Sequence, residues 1–221
     1  ELSLDIKVIS LDDFYLPAQE MDFAMKGNPW NVPRGFPGSH SLDLLHQSLD
    51  VFLKTGILRS PTFDKSLRDG KGDRSGWCEL KSKILILEGW FVGCEPVSDL
   101  NNIDSLSEDK FNLSLSQDEK DYRSLIQESL IKYSKIWKKF DKIWHLKSSH
   151  FNNTILWKTQ QEEEMIKIRG SGLKGNNLTD FIRMIQSSIP QQSLSFINAD
   201  TTVQINQHRR IDKLLTTNYH F

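Results

Sequence analysis

Apolar residues along the chain fall into two kinds of pattern. Short, mostly apolar runs at residues 6–11 and 84–87 (Ile84-Leu85-Ile86-Leu87) predict buried strands. The second run is apolar on both faces, as a central strand of a parallel sheet would be. Longer stretches carry apolar residues every three or four positions and predict helices. One covers residues 42–53 (Leu42, Leu45, Leu49, Phe52, Leu53) and stops at Gly56. Another opens at the capping box Ser116-Gln117-Asp118-Glu119 and runs to about Phe140, with Tyr122, Leu125, Ile126, Leu130, Tyr133 and Trp137 along one side. A Glu-rich helix is expected over 153–168, then a glycine-broken loop over 169–177. A short helix over 178–189 is stopped by Pro190. Residues 142–146 and 194–199 read as two more strands. Residues 16–39, rich in Pro and Gly, and 60–76 predict polar loops. An ordered loop as long as the first tends to be functional, which makes it a candidate substrate loop. Residues 97–115 are acidic and weakly periodic and read as a surface insertion. Strands alternating with helices predict a single α/β domain around a mainly parallel sheet.

Composition narrows the function classes. The 221 residues carry 28 Lys and Arg against 29 Asp and Glu, a formal net charge of -1. No basic excess points to nucleic acid or to a membrane surface. The longest apolar run is far too short to span a bilayer. Two cysteines, Cys78 and Cys94, stand in no metal or redox spacing and read as free thiols of a reducing compartment. The chain opens on Glu1 and enters an apolar strand within five residues, so it reads as a fragment of a longer protein.

The chemistry is concentrated at strand ends. Ligands of open α/β sheets bind outside the carboxyl ends of the strands. Two predicted strands end in acids there: the first in Asp12-Asp13, the other in Glu88-Gly89. Phosphoryl transfer needs a group to receive the proton of the attacking hydroxyl and acids to hold Mg²⁺ near the phosphates. An acid at a strand end also serves simply to turn the chain; two such acids, each followed by a loop, favour a site.

These residues resemble a known family. Ser10-Leu11-Asp12-Asp13-Phe14-Tyr15 is similar to the strand-and-Asp-x-Phe-Tyr motif of the uridine kinase, phosphoribulokinase and pantothenate kinase group of P-loop kinases. Arg34-Gly35-Phe36-Pro37-Gly38-Ser39-His40 resembles the Arg-Gly-x-Pro-Gly-Thr-His-Asp segment of the glycerate kinases in that group. Pro61-Thr62-Phe63-Asp64-Lys65-Ser66 and the later Gly72-Asp73-Arg74 resemble their Pro-x-Tyr-Asp-Lys-Ser and Gly-Asp-Arg. The run from Ile84 to Glu88, continued by Gly89-Trp90-Phe91-Val92-Gly93, is similar to their Walker B-like strand. Leu156-Trp157-Lys158-Thr159-Gln160-Gln161-Glu162 resembles their Trp-Arg-x-Gln-x-Glu lid helix. The five motifs follow one another in the family's order across nearly the whole chain.

The resemblance implies a P-loop NTPase-type doubly wound α/β fold with a helical lid over about residues 153–177. It implies ATP as co-substrate, Mg²⁺, and a small hydroxylated acceptor, D-glycerate first, with phosphoglycerate as product. Asp12 matches the catalytic base, and Glu88 matches the acid that orders the metal, with Asp13 a supporting metal-side acid. Arg34, His40, Lys65 and Arg74 fall on the substrate side, and Lys158 and Arg169 on the lid near the nucleotide. An Arg framed by Gly and Pro suits a bidentate grip on a carboxylate; a solvated surface Arg fits the same pattern. The late segment Asn206-Gln207-His208-Arg209-Arg210 falls where relatives approach the adenine, though an exposed basic turn reads the same way. The expected compartment is the cytoplasm, or the plastid stroma for a plant protein.

Three departures qualify the match. Ser41 stands where the family has Asp after the substrate-loop His, and Lys158 stands where the lid has Arg. Lys holds phosphate charge without a planar fork. No Gly-x-x-x-x-Gly-Lys-[Ser/Thr] occurs in the 221 residues. A βαβ unit takes roughly 30 residues or more, so the loop is expected upstream of Glu1 and the fragment alone is expected to be inactive. Two other readings stay open: a related kinase of the uridine or pantothenate type, and a non-catalytic nucleotide sensor or scaffold that lost the loop.

Overall fold

The computed structural model of the chain describes residues 4–97 and 114–216, and for Arg169 the backbone alone. The expected insertion at 97–115 lies, apart from its ends, outside the described residues. The chain forms two compact units, Glu1–Val92 and Gly93–Phe221.

In the first unit, strand β1 (Ile6–Ser10) runs parallel to β4 (Ile84–Glu88), in register from Ile6 opposite Ile84 to Ser10 opposite Glu88. Parallel strands cannot be joined by a tight turn, so everything between them forms the crossover. That connection holds helix α1 (Ala18–Ala24), helix α2 (Leu42–Thr55) and an antiparallel hairpin of β2 (Ile57–Asp64) and β3 (Asp73–Lys81). Helix α2 ends where the sequence predicts. Gly56 takes the left-handed conformation at φ 71° and its N–H reaches Phe52 O, a turn few side-chain-bearing residues adopt. Leu45 and Leu49 on its inner face are buried, and Ser48 Oγ donates to Arg59 O at 2.9 Å, tying α2 to β2.

Three expectations change here. The loop at 60–76 is mostly hairpin, with only its tip irregular; Pro61, Asp64 and two glycines hide the strand alternation in the sequence. The loop at 16–39 contains α1, a two-turn helix too short to show a period. Strand β4 is not buried on both faces. Ile84 and Ile86 are 40% and 45% exposed, and their register partners Ile6 and Val8 are 38% and 61% exposed. Period-two geometry sends all four to one face, which stays partly exposed. Apolar composition says what a strand is able to bury, not which neighbours do the burying.

In the second unit, helix α3 (Gln117–Trp137) opens on the predicted capping box. Ser116 Oγ accepts from Glu119 N, and a Glu119 carboxylate oxygen accepts from Ser116 N. Its inner face is Arg123, Ile126, Leu130, Tyr133 and Trp137; Leu125, about 100° away from Ile126, is 53% exposed instead. Helix α4 (Asn152–Arg169) covers the predicted Glu-rich segment, and α5 (Gly175–Ser187) begins three residues earlier than predicted. Strand β5 (Trp144–Ser148) pairs parallel with β6 (Thr201–Ile205), which pairs antiparallel with β7 (Ile211–Thr216). The strand expected at 194–199 is replaced by a short helix, α6 (Gln191–Ser195), whose first turn closes when Ser193 N and Leu194 N donate to Pro190 O. An apolar run this short does not distinguish strand from helix by itself. The segment at 206–210 is the β6–β7 turn: Asn206 Oδ1 accepts from His208 N and Arg210 N.

Candidate active site

The parallel register of β1 and β4 brings Ser10 and Glu88 side by side, so the two acid-bearing strand ends finish at the same edge of the first unit. Beyond Ser10 the chain turns into a 3-10 helix, Leu11–Phe14. Ser10 Oγ accepts from Asp12 N at 3.3 Å, and Asp13 Oδ2 accepts from Ser10 N at 3.3 Å. Asp13 thus closes the turn, and the nearby Phe63 backbone also favours its charged form. Burial nevertheless pushes its carboxyl up, and neighbouring Asp12 adds to that. With Leu11 and Phe14 buried, the turn projects Asp12 with 28% of its side chain exposed.

Asp12 faces two basic side chains. Lys65 Nζ donates to its Oδ2 at 2.7 Å, and His40 Nε2 lies 4.0 Å from its Oδ1. Burial alone would raise the Asp12 carboxyl, but His40 and the Lys65 ammonium outweigh it and hold the group well below the usual carboxylate range. Asp12 is therefore ionised at neutral pH, as a proton acceptor must be.

His40 has no exposed side-chain surface. Its ring stacks on Tyr15 (centroids 4.5 Å, 19° between planes) and meets the edge of Phe91 at 5.7 Å; Ser39 Oγ lies 3.4 Å from its Nδ1. Burial pulls its pKa down against the pull of Asp12, so it is neutral at neutral pH. The backbone fixes the same junction: Tyr15 bridges to His40, Leu16 N donates to Ser39 O at 3.0 Å, and Ser41 N donates to Phe14 O at 2.8 Å. Arg74 bolts it from outside, Nε donating to Tyr15 O at 3.1 Å and Nη2 to Ser41 Oγ at 2.7 Å. Its neighbour Asp73 accepts from Ala18 N at 3.0 Å and so starts α1.

Arg34 is buried. Its Nη1 donates to Gly70 O at 2.7 Å and Lys71 O at 2.6 Å, and its guanidinium sits 5.7 Å from the Phe63 ring centre. The hairpin tip it holds is strained: Arg68 and Asp69 both take positive φ, 55° and 56°. Gly72 closes the tip at φ 79°, where a Cβ would lie 2.3 Å from the Phe63 ring. Within the first unit, then, the structure gathers Asp12, Lys65 and His40 at one point. Arg34 and Arg74 hold the surrounding loops, and the exposed Glu88 ends the neighbouring strand.

Lys158 belongs to the second unit. It pairs with Glu162 Oε1 at 2.5 Å and lies 4.6 Å from the Phe181 ring centre. Glu162 also accepts from Leu173 N at 2.8 Å, which fixes the loop after α4. Arg169 ends that helix. Trp157 Nε1 donates to Gln207 O at 3.0 Å and ties the β6–β7 turn to α4. Sequence reasoning gave no part to Tyr15, Phe91 or Ser41, although all three adjoin residues it singled out. No local spacing in the sequence links Tyr15 or Phe91 to His40, 25 and 51 positions away.

No family model matches the chain. It is 28% identical over 216 residues to an uncharacterized kinase of Schizosaccharomyces pombe, mug58, covering 90% of this chain and 73% of the relative. It is 29% identical over 187 residues to the chloroplastic D-glycerate 3-kinase of Arabidopsis thaliana, covering 79% of this chain and 38% of that protein. Among solved structures, the D-glycerate 3-kinase of Cryptococcus neoformans var. grubii superposes with a TM-score of 0.83 at 26% identity, over 97% of this chain and 80% of that one. The chain is an ATP-dependent kinase that is similar to D-glycerate 3-kinases. Its α/β fold is the one the resemblance implied. Among the described residues, no helix of this kinase is long and apolar enough to cross a membrane.

Proposed function

We propose that the protein transfers the γ-phosphoryl group of ATP to a hydroxyl of a small hydroxylated acid, D-glycerate first, giving phosphoglycerate and ADP. The observation that carries this reading is Asp12, an ionised, partly exposed carboxylate on a rigid turn, with a cation on one oxygen and the exposed Glu88 on the neighbouring strand. The acceptor oxygen attacks the γ-phosphorus as its proton passes to Asp12. An O–P bond forms, and the bond from the γ-phosphorus to the β–γ bridging oxygen breaks, with its electron pair leaving on ADP. Lys65 supplies the cation on the acceptor side, while Arg34, Arg74 and His40 act by holding the loops and the base in place.

Glu88 fits the metal side. Among the described residues no group of three or more His, Cys, Asp or Glu side chains gathers to hold a metal alone. Mg²⁺ commonly takes only one or two carboxylates and completes its octahedron with phosphate oxygens and water. Glu88 would hold it, and it would neutralise charge on the phosphates. Lys158 is assigned to the nucleotide side by its place in the lid motif, and Arg169 by its place at the end of the same helix.

The test is direct. The full-length natural protein is incubated with ATP and Mg²⁺ and, in separate samples, with D-glycerate, uridine or pantothenate, and is followed by ³¹P NMR. A phosphomonoester appearing with equimolar ADP only in the D-glycerate sample is expected. Product from uridine or pantothenate instead would move the protein to another acceptor class, and no product from any would support the non-catalytic reading.

A further inference from the structure

We propose that Lys65 is shared between Asp12 and an anionic group of the acceptor: the acceptor's own charge draws the ammonium off the carboxylate and leaves that carboxylate free to take the proton. The proposal rests on the phosphoryl-transfer reading above and adds how the site distinguishes an acid from a neutral alcohol.

Four observations support it. First, the pair is easy to open. Lys65 has 42% of its side chain exposed and Asp12 28%, and ion pairs in contact with water are weak. Second, the lysine's backbone is fixed while its ammonium, on Asp12, is carried by a flexible stem. Asp64 Oδ1 accepts from Ser66 N at 2.8 Å and from Ser66 Oγ at 2.6 Å, fixing the backbone on either side of Lys65, while a flexible four-carbon stem carries the ammonium. Third, the other basic groups of this unit's site have structural partners. Arg34 Nη1 is on two backbone carbonyls, Arg74 is on Tyr15 O and Ser41 Oγ, and His40 is fully buried. Fourth, Asp12 keeps its support when Lys65 leaves, because His40 approaches the other oxygen and the 3-10 turn fixes the backbone.

A carboxylate in contact with an ammonium is a poor proton acceptor. An acceptor bearing a carboxylate offers Lys65 a second partner and thereby restores the base. A neutral polyol offers none. The Lys65–Asp12 contact therefore serves as an electrostatic interlock that favours anionic hydroxy compounds.

Steady-state kinetics with D-glycerate and with glycerol, which keeps two hydroxyls and lacks the carboxylate, test this in wild type, Lys65→Met and Lys65→Arg. Wild type is expected to prefer D-glycerate strongly. Lys65→Met should raise the KM for D-glycerate roughly ten- to a hundredfold, as loss of one charged contact does, and should raise kcat with glycerol, so the preference collapses from both sides. Lys65→Arg should keep most of the preference. Lys65→Met lowering kcat/KM for both acceptors by the same factor would overturn the exchange and leave the kinase reading standing. Wild type using glycerol as well as D-glycerate would do the same. Turnover of neither acceptor by wild type would overturn both. A crystal structure with D-glycerate gives a readout independent of turnover: Lys65 Nζ belongs on the ligand carboxylate, and finding it still on Asp12 would contradict the proposal.

Discussion

Asp12 in the first unit and Glu119 in the second are each held against a cation, and the two sites are built differently. In the second unit, Glu119 is buried and saturated. Its oxygens accept from Arg183 Nε at 2.6 Å, Arg183 Nη2 at 2.6 Å, Ser187 Oγ at 3.0 Å and Ser116 N at 2.9 Å. Burial alone would push its carboxyl up, but those donors win and pull it down to about 2. In the first unit, Asp12 meets one ammonium and a more distant imidazole, and part of it faces solvent. A carboxylate whose acceptor positions are all filled from within the fold can only hold helices together. One with a single exchangeable partner keeps room for a substrate proton. The contrast separates structure from chemistry more sharply than either pKa shift does.

The largest effect that would sharpen the contrast is on turnover. Asp12→Asn should lower kcat by about 10²–10⁴-fold, the usual contribution of a general base, with little change in KM; retained kcat would break the assignment. Glu88→Gln should follow, losing roughly 10- to 100-fold in activity and needing more Mg²⁺. Near-normal turnover at limiting Mg²⁺ would remove Glu88 from the site.

The next effects are on stability. Arg183→Met leaves Glu119 buried with a charge and without its main partner, which costs roughly 3–5 kcal/mol. Chemical denaturation should show that loss, while kcat per folded molecule stays near wild type. The pH dependence has a fixed sign. Glu119 is depressed from the ordinary value of 4.5 to about 2 on folding, so its contribution is present above about pH 4.5 and lost as pH falls toward 2. The full effect is about 3 kcal/mol. Depression of His40 acts in the same direction, so acid titration should unfold wild type at higher pH than a His40→Phe variant that still folds. The smallest effect is at Arg34. Arg34→Lys removes one or two backbone hydrogen bonds at the hairpin tip and should cost about 1–2 kcal/mol of stability. A change confined to the KM for the acceptor, with stability intact, would return Arg34 to the carboxylate grip that its motif suggests.

Much of the site was legible before any coordinates. Asp12 and Glu88 follow short apolar runs that read as strands, and parallel strands place such acids at one end. Lys65 was named through its motif, but its partner was hidden because no local spacing links residues 53 positions apart. Arg34 shows the opposite limit. Its sequence setting suits ligand recognition, yet its hydrogen bonds go to carbonyls 36 and 37 residues away. Helix α3 was legible because its capping box and its 3.6-residue period agree. The β2–β3 hairpin was not, because Pro61 and the glycines that allow its bulge and tight tip look like loop punctuation. The short segment at 191–195 lay below the length at which any period shows.

The claim at the centre of this comparison is that Asp12 carries chemistry and Glu119 carries structure. One measurement tests it most directly: single-turnover phosphoryl transfer from ATP to D-glycerate by wild type, Asp12→Asn and Glu119→Gln, at a temperature where all three are folded by circular dichroism. The rate is expected to be lower by about 10²-fold or more for Asp12→Asn and near wild type for Glu119→Gln. Equal rates for Asp12→Asn and wild type, or a loss confined to Glu119→Gln, would contradict it.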